Sequence, residues 1–438
     1  MYRLPPLPPA LQALAPLRVG AAARLTHGGA GLHQPPELWV QATREEVEAR
    51  CAGQAAPGWP DHLAVGPFLV RPLAGVAPAQ ALAERAVPLD AFALAADDAP
   101  LDPLGGLADL AAGRLRLPDP AALEADPSLL VHLPALASEL GLTLPEELAA
   151  LLAEQAGLVL RADRHRLREA MTRLLVSRRP QAGLELLHRL GVLTLVLPEV
   201  VALIDFHRSS RHHHKDVWQH TLQVVGQAVP RPSVRWAALL HDIGKTYTRS
   251  YTPDRKVHFL LHDELGAVMC EGITARLRFP PVLAERVERL VRFHLRANVY
   301  DPAWSDAAVR RFALELGEIL EELLLLSRAD VTSKRPGRRR QAMYLLHGLQ
   351  ARVASLAAAE AARRPVVPKG LGQAIITGLK VAAGPEIGRL RRLCEDAVRA
   401  GRLPADPSVE ACLEFLRGTR DAGGQMGDST PRSRSSAA

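Results

Sequence analysis

The 438-residue sequence contains few aromatic residues, few cysteines and no long apolar run. Phe, Trp and Tyr make up 4% of the chain, while Ala, Leu and Arg, which favour helices, are abundant. The four cysteines are scattered without a CxxC pair, which argues against a disulfide framework and a cysteine-based zinc site. No segment offers about 18 uninterrupted apolar residues and prolines interrupt the N-terminus, so we expect a cytoplasmic protein without a membrane segment.

The chain is long enough for several domains, because a single hydrophobic core rarely serves this length. Between Leu17 and about Leu115, short apolar runs alternate with Gly, Pro and Asp turns, which predicts strands mixed with a few helices. From about Pro120 onward, apolar residues recur at three- and four-residue steps, which predicts helices. The predicted fold is therefore mainly α, with a small α/β head at residues 1–118.

Pro and Gly residues divide the predicted helical part into three segments. These are residues 119–200, 201–335 and 336–417. The last stretch, residues 418–438, lacks apolar periodicity, as a disordered terminus does.

Two helix-like segments carry the residues that are most typical of a metal site. HHHKDVWQHTLQVV contains His220, and VRWAALLHDIGK ends on adjacent His241 and Asp242 before Gly244. Adjacent helical residues diverge by about 100°, so both can face one ion only near a helix end. Asp330, at the end of the apolar run LLLLSRAD, is the candidate for a fourth ligand. Imidazole and carboxylate donors together suit Mn, Fe, Co, Ni or Zn, and Mg less well.

Three further residues could face the same cleft. His262 and His294 each lie among apolar residues, where a lone histidine is usually a core residue. As a pair, they could hold a second metal or contact a substrate phosphate. Lys245 could offer a positive charge to that phosphate, or be a solvated residue at a helix end. We interpret the run at residues 212–214 as a polar loop.

The net charge of +7 favours phosphate-bearing partners. Arginines cluster in the predicted helix near residues 161–179 and in SKRPGRRRQ at residues 333–341. Such clusters could follow an RNA backbone, although a solvated helix face and a charged loop would look the same.

HKDVWQHTL, WAALLHDIGK and VRFH resemble the HD domain of bacterial tRNA nucleotidyltransferases, the CCA-adding enzymes related to poly(A) polymerase. DRHRLREAMTRLLVSRRPQAGLELLHRLGVLTLVLPEV resembles the RNA-binding neck of that family, and LKVAAGPEIGRLRRLCEDAVRAGRL resembles its tail. LDPLGGLADLAAGRLRL resembles the end of its catalytic head. The resemblance implies a nucleotidyltransferase-like head, a helical neck, an HD domain and a tail, with RNA such as tRNA, or a nucleotide, as partner.

The head departs from the family pattern at the residues that carry out nucleotidyl transfer in that family. In RVGAAARLTHGG, which corresponds to the phosphate-cradling turn, Leu25 stands where the family has Asp. The metal-binding Asp-x-Asp corresponds to Glu37 and Trp39. Two carboxylates are needed to hold the two metals of nucleotidyl transfer, and Trp cannot ligate.

Two further motifs of the head are altered. The Arg-Arg-Asp-Phe-Thr-Ile-Asn stretch corresponds to residues 84–90, where Arg85 remains but Ala86 and Asp90 replace Asp and Asn. In the nucleotide-reading helix, Asp126 remains and Leu129 replaces Arg. We therefore predict that nucleotidyl transfer is lost.

The HD segment keeps the full residue set that the resemblance implies, apart from Leu261, where the family usually has Gly. We predict a metal-dependent phosphohydrolase that acts on phosphate esters of ribonucleotides or RNA ends, such as 2′,3′-cyclic or 2′-phosphates. The predicted metal ligands are His220, His241, Asp242 and Asp330, and the predicted catalytic residues are Asp242, Lys245, His262 and His294. Two alternatives remain: a working tRNA nucleotidyltransferase, and a non-catalytic RNA-binding protein.

Overall fold

The computed structural model describes residues 6–19, 37–56, 59–65, 68–95, 97–208, 217–252, 257–333, 335–363 and 367–424. The chain divides into two compact units, residues 1–351 and 352–438. The position of Leu25 and the histidine run at 212–214 lie outside the described residues.

The head is a mixed β-sheet with short helices. Seven strands in the described part of the chain form one sheet in the order β3-β4-β5-β2-β1-β6-β7, in which only β2 and β5 pair in parallel. The strands are β1 (Leu17–Val19), β2 (Glu37–Val40), β3 (Gln54–Ala56), β4 (Trp59–Val65), β5 (Phe68–Pro72), β6 (Ala93–Leu94) and β7 (Pro100–Leu101). The helices are α1 (Pro9–Gln12), α2 (Arg44–Cys51), α3 (Pro78–Ala83) and α4 (Gly106–Ala111).

Strand β2 is buried on both faces, because its side chains alternate between two apolar clusters. Leu38 and Val40 pack in one cluster with Leu11. Trp39 points to the other face and packs with Leu82. Strand β2 lies in the middle of the sheet, and both of its faces are covered. This explains why Leu38, Trp39 and Val40 are consecutive apolar residues instead of alternating with polar ones.

Helices form the remainder of the first unit, as their three- and four-residue apolar spacing predicts. In the neck they are α5 (Ala122–Ala125), α6 (Leu129–Leu140), α7 (Glu146–Glu154), α8 (Arg164–Val176), α9 (Pro180–Arg189), α10 (Val192–Val196) and α11 (Pro198–Arg208). They continue as α12 (Val217–Gln227), α13 (Pro232–Leu240), α14 (Lys245–Thr248), α15 (His262–Arg276), α16 (Pro281–Phe293), α17 (Asp306–Leu316) and α18 (Leu320–Asp330). A hairpin of β8 (Arg249–Tyr251) and β9 (Val257–Phe259) interrupts them.

The second unit has its own apolar core. The long helix α19 (Pro336–Arg363) leads into it, followed by α20 (Leu371–Leu379), α21 (Pro385–Arg399) and α22 (Val409–Gly424). Ile375, Leu390, Cys394, Cys412 and Leu416 are central members of this core.

The predicted fold class, a mainly α protein with a small α/β head, is confirmed. The last helix continues to Gly424, seven residues beyond the predicted boundary at 417, so the start of the predicted disordered terminus is helical. Among the described residues, no helix combines the length and the apolar character needed to span a bilayer.

Candidate metal centre

The fold brings the predicted metal ligands together from three separate parts of the sequence. His220 lies on α12, His241 and Asp242 form the turn directly after α13, and Asp330 is the last residue of α18. The turn can pack closely against the start of α15 because position 244 is glycine. A Cβ atom on Gly244 would lie 2.1 Å from the carbonyl oxygen of His262. This close approach brings His262 towards the His241-Asp242 pair.

The first donor set consists of His220 Nε2, His241 Nε2, Asp242 Oδ2 and Asp330 Oδ1. His220 Nε2 lies 3.2 Å from His241 Nε2 and 3.1 Å from Asp330 Oδ1. His241 Nε2 lies 3.3 Å from Asp242 Oδ2. Donor atoms about 2.1 Å from a shared ion lie roughly 3–3.5 Å apart in tetrahedral or octahedral geometry. Two further distances are longer, 3.6 Å from His220 Nε2 to Asp242 Oδ2 and 3.9 Å from His241 Nε2 to Asp330 Oδ1. The donor atoms of His220, His241 and Asp242 therefore lie close enough to share one divalent ion, with Asp330 at its edge.

The second donor set consists of Asp242 Oδ1, His262 Nε2 and His294 Nε2. Asp242 Oδ1 lies 3.6 Å from His262 Nε2 and 4.0 Å from His294 Nε2, and all three residues are buried. Among the described residues, neither Asp242 Oδ1 nor His262 Nε2 has a hydrogen-bond partner. An unsatisfied buried polar group costs about 1–3 kcal/mol, and a bound cation would offset that cost. The two oxygens of Asp242 therefore face two different donor sets.

Hydrogen bonds to the opposite ring nitrogen orient the histidines. Nδ1 of His241, His262 and His294 each donates to the carbonyl oxygen three residues earlier, at 3.0, 2.7 and 2.7 Å. Nδ1 of His220 pairs with Thr332 Oγ1 at 2.9 Å. A neutral imidazole that donates through Nδ1 carries its lone pair on Nε2, which is the form that ligates metals. Thr332 carries no sequence signal of its own, because a Thr after a helix is common.

The electrostatics of the site favour charged carboxylates. Burial opposes ionisation of Asp242, but His241 and Lys245 outweigh it and hold the pKa of Asp242 well below its usual range. Burial likewise opposes the charged form of Asp330, and the hydrogen bond with His220 nevertheless lowers its pKa to about 2. Burial also disfavours the charged form of His241, yet the Asp242 carboxylate raises its pKa. The centre therefore attracts cations.

His262 and His294 behave differently from His241. Burial lowers the pKa of His262, and burial followed by repulsion from His241 lowers the pKa of His294 to about 4. Both rings are therefore neutral at pH 7 and present a lone pair at Nε2. They cannot steady phosphate oxygens as hydrogen-bond donors in this form, and of the two roles expected for them, metal ligation fits better.

An open cavity of about 560 Å³ lies over the first donor set. Its lining includes His220, Asp242 and Asp330, so a small molecule in the cavity would lie against candidate ligands. Lys245 also lines it, but its Nζ lies 2.7 Å from Asp242 Oδ2. The predicted phosphate-binding lysine is thus paired with a candidate ligand.

In the head, arginine side chains lie beside Trp39, and Glu37 is the one carboxylate of the expected pair. Trp39 is buried, and the guanidinium carbons of Arg71 and Arg85 each lie 5.1 Å from its ring centre. Glu37 Oε1 accepts hydrogen bonds from Trp39 Nε1 at 2.7 Å, from His62 Nε2 at 3.0 Å and from Arg85. Glu37 is therefore engaged within the protein. The sequence pattern did not single out His62 or Arg71, because their roles arise only from strand pairing.

Four of the neck arginines make contacts within the protein, whereas Arg178 and Arg179 of the same cluster are exposed. Arg168 and Arg173 are buried, and Arg173 is ion-paired with Glu139. Arg161 and Arg166 form ion pairs with Glu124 and Asp126. Much of this cluster therefore stabilises the neck itself.

Comparison with known proteins agrees with the HD geometry and the helical neck. Residues 217–335 match the family model described as HD domain. Residues 141–203 match the model described as probable RNA and SrmB-binding site of polymerase A. The fold and the donor sets thus define an HD-domain protein with a polymerase-type neck.

Curated relatives extend the likeness to the head. The chain is 31% identical to the A-adding tRNA nucleotidyltransferase of Deinococcus radiodurans over 348 residues, 76% of this chain and 78% of that protein. It is 34% identical to the CC-adding tRNA nucleotidyltransferase of Thermus thermophilus over 267 residues, 59% of this chain but only 58% of that protein. The chain belongs to the tRNA nucleotidyltransferase family.

A solved structure shows the same fold. The crystal structure of the Bacillus stearothermophilus CCA-adding enzyme in complex with CTP superposes with a TM-score of 0.52 at 17% identity. The match covers 96% of this chain and 100% of that one.

Proposed function

We propose that the chain is a metal-dependent phosphohydrolase of the HD type, acting on phosphate esters of ribonucleotides or RNA ends such as 2′,3′-cyclic or 2′-phosphates. The observation that carries this proposal is the convergence of two donor sets on Asp242 beneath an open cavity. A closed set of ligands would only support the fold, whereas an open one leaves room for substrate.

The roles of the residues follow from their geometry. His220, His241, Asp242 and Asp330 would hold one divalent ion, and Asp242, His262 and His294 offer a place for a second. When bound, such ions activate water and neutralise charge on phosphate oxygens. Lys245 stands at the cavity wall, where its ammonium can turn from Asp242 towards a phosphate.

The arrangement in the head supports loss of nucleotidyl transfer. Transfer by two metals needs carboxylates that can ligate both ions. Position 39 carries Trp, and Glu37 Oε1 already accepts three hydrogen bonds. Arg85, which is ion-paired with Glu37, also partly neutralises the charge of that carboxylate.

The test uses protein stripped of metal and then supplied with Mn, Ni, Co, Zn or Mg in turn. We expect metal-dependent hydrolysis of 2′,3′-cyclic AMP, 2′-AMP or p-nitrophenyl phosphate that falls at least about 100-fold in Asp242→Ala. Metal content should fall in the same variant. Glu154→Ala, which removes an exposed carboxylate at the end of α7 in the neck, is the matched control. Full turnover in Asp242→Ala would refute the proposal.

A second candidate is tRNA nucleotidyl transfer, which the names of the relatives favour. Incorporation of labelled CTP or ATP into tRNA lacking its 3′ end would establish it. If that incorporation is lost in Glu37→Gln and kept in Asp242→Ala, the head is the working centre. Salt-sensitive RNA binding without either reaction would instead favour the non-catalytic alternative.

A further inference from the structure

The cavity over the donor sets has an apolar side as well as a metal side. Its apolar lining includes Tyr300, Val331, Ala342, Leu345 and Leu346. Arg338 lines the cavity from the same face of α19, since residues spaced by three, four and eight positions share a helix face. A cavity of about 560 Å³ with apolar walls and a few charged groups suits a single nucleotide.

The hairpin extends this cavity along one of its faces. Arg249 pairs with Phe259 across the two strands, and both line the cavity. Tyr251 is two residues beyond Arg249 on the same strand, so it lies on the same face about 6.6 Å further along. Its side chain is 56% exposed, and the guanidinium of Arg249 lies 6.0 Å from its ring centre. Tyr251 thus presents an aromatic surface beside the cavity.

Positive charge also lies on the wall of the cavity that α19 forms, where Arg338 is part of the lining. Arg338, Arg339 and Arg340 are exposed on the first turns of α19, directly after the end of the HD segment. Exposed arginines and an exposed aromatic ring around one cavity are the combination that binds single-stranded nucleic acid, through phosphate contacts and base stacking.

We propose that Tyr251 and the three arginines at 338–340 form a track for single-stranded RNA whose terminal nucleotide enters the cavity. The proposal rests on the proposed function and narrows its substrate from a free mononucleotide to an RNA end. A mononucleotide would be held within the cavity, and Tyr251 does not line it. Only a longer ligand uses both the ring and the full arginine cluster.

The experiment measures the binding of fluorescein-labelled oligoadenylates of one to six nucleotides by fluorescence anisotropy, with the full chain. Their 3′-hydroxyl ends carry no terminal phosphate ester, so binding can succeed or fail independently of hydrolysis. We expect affinity to rise over the first few nucleotides. Tyr251→Ala should weaken hexamer binding about tenfold, as expected for the loss of one stacked base, while Tyr251→Phe should retain it.

Replacing Arg338, Arg339 and Arg340 together by Ala should lower the slope of log Kd against log salt by about 2, because each phosphate contact in a single strand contributes about 0.7. Matched controls are Tyr344→Ala, an exposed tyrosine of α19 that does not line the cavity, and Arg311→Ala on α17. Unchanged affinity in both Tyr251→Ala and the triple variant would overturn the track. An affinity that does not depend on the length of the oligoadenylate would also overturn the track, and it would indicate that the cavity binds a single nucleotide.

Discussion

Leu261 adopts a backbone conformation that suits glycine. Its φ is 58°, in the left-handed region, and its side chain is 71% exposed just before His262. This conformation costs an L-residue about 1–2 kcal/mol. The departure from the family pattern at this position therefore has a physical cost, although it leaves His262 in the donor set.

Replacing Leu261 by Gly should stabilise the protein by about 0.5–1 kcal/mol, because relief of strain exceeds the greater freedom of glycine in the unfolded chain. The thermal midpoint should rise by about 1–3 °C. Leu260→Gly is the matched control, since Leu260 is also 71% exposed but has no positive φ. Equal destabilisation by both variants would show that the strain is not relieved.

The sequence was sufficient to predict the ligand candidates but not their supporting contacts. His241 and Asp242 were recognisable because they are adjacent at a helix end. Thr332, which pairs with His220 across 112 positions, was not, since no local pattern specifies such a distant contact.

Strand β2 carries a buried carboxylate, Glu37, whose charge is stabilised by side chains from other parts of the head. Burial opposes ionisation of Glu37, but Arg85 and His62 together lower its pKa to about 2. A carboxyl group with a lowered pKa contributes stability above its usual pKa of 4.5, and that contribution is lost as the pH falls from about 4.5 towards 2.

Glu37→Gln should therefore destabilise the head by on the order of 2 kcal/mol at pH 7, and the difference from the unmodified protein should shrink below pH 4.5. Urea unfolding followed by pulsed hydrogen exchange and mass spectrometry would resolve the peptides of β2. Glu48→Gln, at an exposed position, should change stability by less than about 0.5 kcal/mol. A difference that does not depend on pH would contradict the role of the ion pair.

The sequence was sufficient to tell strand regions from helical regions, because apolar residues recur at different spacings in the two kinds of element. The order of the sheet was not, since β2 lies between β5 and β1, and pairing over long sequence separations leaves no local pattern. The neck arginines are a second case in which contacts between residues far apart in sequence could not be predicted. Their clustering predicted RNA contact, but it did not reveal that Arg166 and Arg173 pair with acids distant in sequence.

At the scale of the whole molecule, the two units have separate cores, and each contains buried thiols. Cys270 is buried in the first unit, while Cys394 and Cys412 are buried in the second. Burial raises the pKa of Cys270 and of Cys394 to about 12, so neither thiol reacts while it is enclosed.

We expect two unfolding transitions in place of one, because separate cores need not unfold together. Thiol labelling across a urea series, followed by peptide mass spectrometry, should modify Cys394 and Cys412 at one common midpoint and Cys270 at another. Cys51, which is partly exposed, should react first and serves as an internal reference. Coincident midpoints for all three buried thiols would mean that the units unfold as one.

The packing of Trp39 has a consequence for any redesign of the head. Replacing Trp39 by Asp alone would empty a fully buried site, at a cost of about 3–5 kcal/mol, and would place the new carboxylate beside Arg71 and Arg85. A design that adds a second carboxylate next to Glu37 therefore has to repack the core of the sheet and change both arginines in the same step. Libraries that vary these positions together suit the head better than stepwise mutagenesis.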